Sequence, residues 1–308
     1  MKQKRHWALT MAIGAMMVLA GGCGEKKTRS GEATQLVEAA YRQKDYGRLA
    51  ALADSLEKSG QMTAARANYW RGYACDRTKR KQEAAAYWRT SMEEAVNSTV
   101  PDDADYYAKS ASRLANLLCL EGDYEGALAM AQPVVARLEQ LRRDSTSDYI
   151  NLLIYVGLCQ VSTGMSEEDT RIGFYRAYEK HRQNIEKYHS DEAYKDAIAG
   201  LVNIAYYCVK AHHYEPALYY TSNFGDLLIE YEQRPGVDTN YVDRQVGRYT
   251  IYKAWALDRL GRKKESKKTY EAFLATRYSQ GAEGRALAND FLTGNEDGGA
   301  SDDVEAVP

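Results

Sequence analysis

The sequence predicts an all-α fold, a solenoid of five to six helical hairpins closed by a capping helix. Three observations lead there. Small residues recur in pairs twelve positions apart, with a short turn between them. An aromatic residue follows the turn at a fixed offset: Gly122, Tyr124 and Ala127 in "LCLEGDYEGALAMA" recur as His212, Tyr214 and Ala217 in "VKAHHYEPALYY". The composition is rich in Ala and has 25 Tyr but 5 Pro among 308 residues, which favours helix over β-sandwich. A formal net charge of −2 provides no global field to attract nucleic acid.

Residues 1–22 stand apart from this pattern. Lys2, Lys4 and Arg5 form a basic start, Ala8 to Ala20 is apolar, and Gly21, Gly22 and Cys23 follow. Such a segment reads as a secretory signal peptide, too short for a membrane-spanning helix. "VLAGGC" resembles the lipobox of bacterial lipoproteins, where a peptidase cuts before the cysteine and the thiol is lipid-modified. Leu19 lies four before Cys23, and Ala20 takes the place where Leu is usual. The resemblance implies lipidation at Cys23, with residues 23–32 as a linker and several acyl chains holding the protein on a membrane. Gly24 rather than Asp follows the cysteine, which by the sorting rules of well-studied bacteria implies the outer membrane, facing the periplasm.

Residues 33–293 carry the repeats. The first hairpin is faint, "LVEAAYRQKDYGRLAALA", with Val37 and Leu49 in the paired roles. Gly72 pairs with Ala84, Ala115 with Ala127, Ala205 with Ala217, and Ala254 with Ser266. The copy after Gly157 is irregular and carries extra residues before its second helix. Each small pair marks where two antiparallel helices come closest, because a bulky side chain there would push the axes apart. Gly or a polar residue ends the first helix, and the aromatic packs at the start of the second. One hairpin alone leaves an apolar face open, so neighbours must stack. "NSTVPDDADYY" (97–107) and "EQRPGVDTNY" (232–241) read as turn-rich inserts between hairpins. "HRQNIEKYHSDEAYKDA" reads as the end of one helix and the start of the next, and "EGRALANDFL" as the capping helix. Residues 294–308 are acidic and aperiodic, and are expected to form a disordered tail.

This pairing resembles the tetratricopeptide repeat (TPR). The family's small residue in the first helix corresponds to Gly72, Ala115, Gly157, Ala205 and Ala254, and that in the second helix to Ala84, Ala127, Ala217 and Ser266. The aromatic four positions further on is kept by Trp88 and Tyr270 and replaced by Ala131 and Thr221. The family's terminal proline is absent, and the copies are spaced more widely than its repeat of about 34 residues. The resemblance implies a concave groove lined by the first helices, with a protein or peptide partner held there. The matching groove positions are Arg66, Tyr69, Tyr73, Asp76 and Arg77; Lys109 and Asn116; Tyr206 and Lys210; and Arg248, Ile251, Trp255, Asp258 and Arg259. Aromatics mixed with Arg match the composition of binding hot spots. Tyr69 and Tyr73 stand where chaperone-binding members place Lys and Asn, so carboxylate capture by that route is not expected.

No catalytic constellation stands out. There is no Gly-rich phosphate loop, HExxH or GxSxG motif, and "PDDADYY" lacks the Gly and distal Glu of a calcium loop. Cys75, Cys119, Cys159 and Cys208 fall near the ends of four successive first helices. They are too far apart in sequence for a metal-ligand pair. Adjacent repeats are offset by roughly 10 Å, beyond the ~7 Å Cα limit for a bridge, so four unpaired packing residues are expected. His212 and His213 lie in a turn, while His181 and His189 lie among Lys, Arg and Glu and are expected to be solvated. "RTKRK" and "RKKESKK" flank hairpin turns and read as solvated charge. The expectation is a non-enzymatic, lipid-anchored scaffold with no metal, cofactor or nucleic acid. The rival readings are a detached sensor module of a two-component-type system, an outer-membrane assembly accessory lipoprotein and a glycan-binding lipoprotein.

Overall fold

The computed structural model describes residues 33–165 and 167–293. The segments read from the sequence as a signal peptide (1–22), a linker with Cys23 (23–32) and an acidic tail (294–308) lie outside the described residues. Among the described residues all regular structure is helical. A first helix α1 covers 33–42. It is followed by α2 (Tyr46–Lys58), α3 (Ala64–Arg77), α4 (Lys81–Val96), α5 (Asp103–Leu120) and α6 (Tyr124–Gln140). Then come α7 (Ser147–Ser162), α8 (Glu167–Tyr188), α9 (Asp191–Lys210), α10 (Tyr214–Glu232), α11 (Thr239–Arg259) and α12 (Lys263–Leu274). A 3₁₀ turn (Tyr278–Gln280) leads into α13 (Ala282–Thr293), within one residue of the expected capping helix at each end. The fold class is the expected one: TPR-like hairpins, each an odd-numbered helix with the even-numbered one after it, and a cap.

One turn design serves all six hairpins. Lys44, Lys79, Gly122, Gly164, His212 and Gly261 each adopt positive φ just after an odd-numbered helix. The next residue then donates its N–H to a carbonyl five positions back: Asp45 to Ala40, Arg80 to Cys75, Asp123 to Leu118, Met165 to Gln160, His213 to Cys208 and Arg262 to Leu257, all at 2.8–3.0 Å. This left-handed cap satisfies orphan carbonyls and reverses the chain within three residues. This position needs a residue that tolerates φ of +54° to +79°, and Gly does so at no steric cost.

The chain divides into two compact units, Met1–Leu117 and Leu118–Pro308. In the first, Val37, Ala40, Leu49 and Ala53 are fully buried and form one cluster between α1 and α2. Gly72 lets the Trp88 indole lie on α3; a Cβ there would sit 2.6 Å from the ring. Arg71 ties α3 to α2 through Asp54 (2.7 Å) and Glu57 (2.5 Å). A buried hydroxyl chain links three helices: Ser110 Oγ to Ser91 Oγ (2.7 Å), and Ser91 Oγ to the Ala65 carbonyl (2.6 Å). The insert expected over 97–107 is shorter than that, since α5 begins at Asp103. Asp103 explains it. Its buried carboxylate accepts from Thr63 Oγ1 (2.7 Å) and Ser98 Oγ (2.5 Å), fixing the loop and opening the helix. The second insert is likewise confined to 233–238, between α10 and α11.

In the second unit the expected small residues are again buried: Ala127, Ala205, Ala217, Ala254 and Ser266 are at most 2% exposed. Ser266 Oγ donates to the Ala254 carbonyl at 2.8 Å, across the hairpin. The irregular copy keeps the same device at a different spacing. A Cβ on Gly173 of α8 would lie 2.7 Å from the Gly157 nitrogen of α7, and Phe174 covers Gly157. The pair is sixteen residues apart instead of twelve, close to one added helical turn. Both helices therefore still meet through glycine.

Two sequence expectations fail here. His181 is not solvated but 4% exposed, seated against Gly200, where a Cβ would fall 2.3 Å from its Nε2. Its polar neighbours in sequence lie on other faces of α8. Burial lowers its pKa to about 4, so the ring is neutral. Nor are all four cysteines apart: Cys119 Sγ and Cys159 Sγ lie 3.4 Å from each other. Cys119 stands four positions after its helix's small residue and Cys159 only two after its own. Each side chain thereby reaches into the gap between α5 and α7, which the axial spacing alone does not reveal. Cys75 and Cys208 show no such sulfur contact.

Candidate functional site

The residues expected in the groove fall on the odd-numbered helices, and each unit presents its own group. In the first unit, Tyr69 and Tyr73 of α3 form the floor of an aromatic cluster and are only 6% and 7% exposed. Tyr69 packs on Trp70 (5.0 Å between ring centroids) and on Tyr106 of α5 (5.4 Å). Tyr73 packs on Tyr41 of α1 (5.2 Å), Trp70 (6.1 Å) and Tyr46 of α2 (6.3 Å). Such tilted and edge-on pairs are the favoured arrangement for aromatic rings.

Four cations stand over these rings. Arg66 and Lys109 both approach Tyr106, at 5.4 and 5.6 Å from its centroid. Arg113 lies 5.3 Å from Tyr73, and Arg77 lies 5.9 Å from Tyr46, to whose hydroxyl it also donates. Arg66 is held from the side by a bond to Thr34 Oγ1 at 2.8 Å. Burial raises the Tyr73 phenol above its ordinary range despite Arg113 and Arg77 nearby, so the ring stays neutral and its face remains a cation acceptor. Asp76 and Asn116 complete the expected set on this unit as half-buried polar residues.

The groove positions implied by the resemblance included Tyr69, Tyr73, Arg66, Arg77 and Lys109 but not Trp70, Tyr106 and Arg113. A signal for two of them existed. Tyr106, Lys109, Arg113 and Asn116 follow the i, i+3, i+7, i+10 rhythm of one helix face. Trp70 is adjacent to Tyr69 and is turned in by the cluster itself, which sequence rhythm does not report.

The second unit presents a tyrosine ladder on consecutive odd-numbered helices. Tyr155 of α7 meets Tyr207 of α9 (5.9 Å), Tyr207 meets Tyr206 (5.4 Å), and Tyr206 meets Tyr252 of α11 (5.6 Å). Exposed Lys210 lies 5.9 Å from the Tyr206 ring. The last hairpin departs from expectation. Trp255 is 4% exposed and meets Phe291 of α13, while Arg248 pairs with Glu283 of the same helix at 2.5 Å. Ile251 is fully buried. The capping helix occupies the side where another repeat would stack, and takes these residues with it. Burial is the largest influence and opposes the Glu283 charge, but the bonds from Arg248 and Tyr278 and the charges of Arg248 and Arg244 together hold the carboxyl below its usual range. Asp258 accepts from Lys263 (2.8 Å), and Arg259 remains exposed.

Among the described residues no cluster of three or more His, Cys, Asp or Glu could hold a metal ion, and no helix is long and apolar enough to cross a membrane. His212 Nδ1 is engaged with the Tyr214 hydroxyl at 2.9 Å. A cavity between α6, α7 and α8 measures about 280 Å³, below the usual range for small-molecule sites.

No protein-family model and no curated protein matches the chain. Solved structures do. PilW, a "widely conserved type IV pilus biogenesis factor", has a TM-score of 0.51 at 16% identity, over 85% of this chain and 98% of PilW. The apo form of RapI has a TM-score of 0.48 at 13% identity, over 81% and 96% of the two chains. BtubC (BKLC) from P. vanneervenii scores 0.47 at 12% identity, over 83% and 92%. At such identities the likeness to PilW is one of fold, and it agrees with the hairpins: the chain is an all-α, TPR-like helical repeat protein.

Proposed function

We propose that this is an exported, lipid-anchored envelope protein that acts without catalysis, holding a partner protein or peptide on the odd-numbered helix face of its first unit. The observation that carries the reading is the layer of Arg66, Arg77, Lys109 and Arg113 over the Tyr46–Tyr69–Tyr73–Tyr106 cluster. Aromatic floors give contact area at low entropic loss, and cations held over them favour acidic side chains of a partner. The tyrosine ladder with Lys210 is a second strip of the same kind. Export and anchoring rest on the signal-like residues 1–22 and on "VLAGGC", with Cys23 as the acylated residue and the outer membrane as destination. The fold likeness to PilW, a type IV pilus biogenesis factor, is compatible with such a role.

A photo-crosslinking residue placed at Tyr106 tests the binding half. A discrete protein adduct is expected from that position and not from Ile229, an exposed residue at 56%. Lys109→Glu together with Arg113→Glu should abolish the adduct without unfolding the chain. Equal adducts from both positions would refute the site. Labelled palmitate entering the wild type and Cys23→Ser alike would refute the anchor.

A further inference from the structure

We infer that Cys119 and Cys159 are a disulfide-forming pair that fastens the end of α5 to the end of α7. The inference rests on the export reading, because oxidising compartments are where such bonds persist. The geometry stands by itself. The sulfurs are 3.4 Å apart, and a disulfide needs ~2.05 Å, so they must approach by about 1.4 Å. That is within reach of small χ1 adjustments at two residues in the last turns of their helices. The pair closes a loop of 40 residues that contains all of α6. Cross-linking a loop of that length removes much freedom from the unfolded chain.

The bond forms by exchange with a protein or glutathione disulfide. One cysteine thiolate attacks the donor, breaking its S–S bond and releasing one donor thiol. The other thiolate attacks the resulting mixed disulfide and releases the second. Two electrons pass to the donor's sulfurs, and the two thiol protons end on the donor's thiols. In the folded protein this exchange is slow. The hydrogen bond with Cys159 and burial push the Cys119 thiol well above its ordinary range, and Asp123 adds to both. Oxidation therefore accompanies folding, and the finished bond is shielded, since Cys119 and Cys159 are 6% and 0% exposed. Cys75 and Cys208 stay thiols.

The test uses the full chain, extracted from its membrane in detergent, unfolded in the presence of a maleimide and digested for mass spectrometry. Peptides linked through Cys119 and Cys159 are expected, with Cys75 and Cys208 alkylated. Reductant should lower the melting temperature of the wild type by about 5–10 °C and leave Cys119→Ala/Cys159→Ala unmoved. If that variant does not fold, the linked peptide decides alone. Four alkylated thiols in envelope-derived protein would overturn the inference while leaving export intact. A chain retained in the cytoplasm would instead refute export. The purified chain, refolded with glutathione disulfide, then decides: a linked pair upholds the inference, and free thiols or glutathione adducts overturn it.

Discussion

The α3–α4 and α7–α8 hairpins reach the same close approach by different routes. In the first, Gly72 and Ala84 are twelve residues apart and the Trp88 ring lies on the glycine. In the second, Gly157 and Gly173 are sixteen apart and the two backbones meet directly, with Phe174 beside them. What the hairpins share is the contact and the left-handed turn. The spacing is free to change by about a helical turn, because four residues restore nearly the same face. The difference also predicts unequal tolerance. A side-chain ring can slide aside, whereas two main chains cannot without separating the helices.

The largest effect should come from forcing bulk into an ordinary pair. Ala217 is fully buried, and Ala217→Trp should cost about 4 kcal/mol or more, seen as loss of a cooperative thermal transition. An unchanged melting temperature would mean that these positions do not set helix separation.

Next comes the same glycine device with a titratable ring. His181 lies on Gly200 as Trp88 lies on Gly72. Its folded-state pKa is lowered to about 4 by burial, while the unfolded chain takes up the proton near 6.5. The stability from the neutral ring is therefore full above pH ~6.5 and drains away as pH falls towards 4, by up to about 3 kcal/mol. Urea melts at a series of pH values should show this slope, and His181→Phe should flatten it. A slope that survives the substitution belongs to other groups.

The smallest effect isolates the turn. Lys79 and Gly164 fill the same left-handed position, at φ +63° and +76°. Lys79→Gly should stabilise by roughly 0.5–1 kcal/mol, and Gly164→Ala should destabilise by a similar amount. Shifts in the urea midpoint would register both.

Much of this was legible in the sequence, for local reasons. The small pairs, the turn residues and the capping helix depend on neighbours a few residues away, so their rhythm survives as a pattern. Gly173 escaped because it lies outside the twelve-residue spacing, although a glycine one turn later is the natural place to look. His181 escaped because polar residues on other faces of α8 disguised the buried one. The meeting of Cys119 with Cys159 depends on the stagger between successive odd-numbered helices, which no single helix records. At the candidate site, Arg66, Tyr69, Tyr73 and Lys109 came from the groove positions that the tetratricopeptide resemblance implies. Trp70 was placed by the cluster that receives it, and Trp255 was taken by a capping helix whose packing side the sequence did not disclose.

Close approach through small residues is the claim on which the fold account stands, and a pair of alanine substitutions tests it most directly. Gly72→Ala and Gly173→Ala gain the same helix propensity, so that contribution cancels between them. Gly173→Ala should lower the melting temperature by about 6–12 °C, because its Cβ meets main chain. Gly72→Ala should lower it by no more than half as much, because the Trp88 ring can move. Equal losses, or a greater loss at Gly72, would contradict the account.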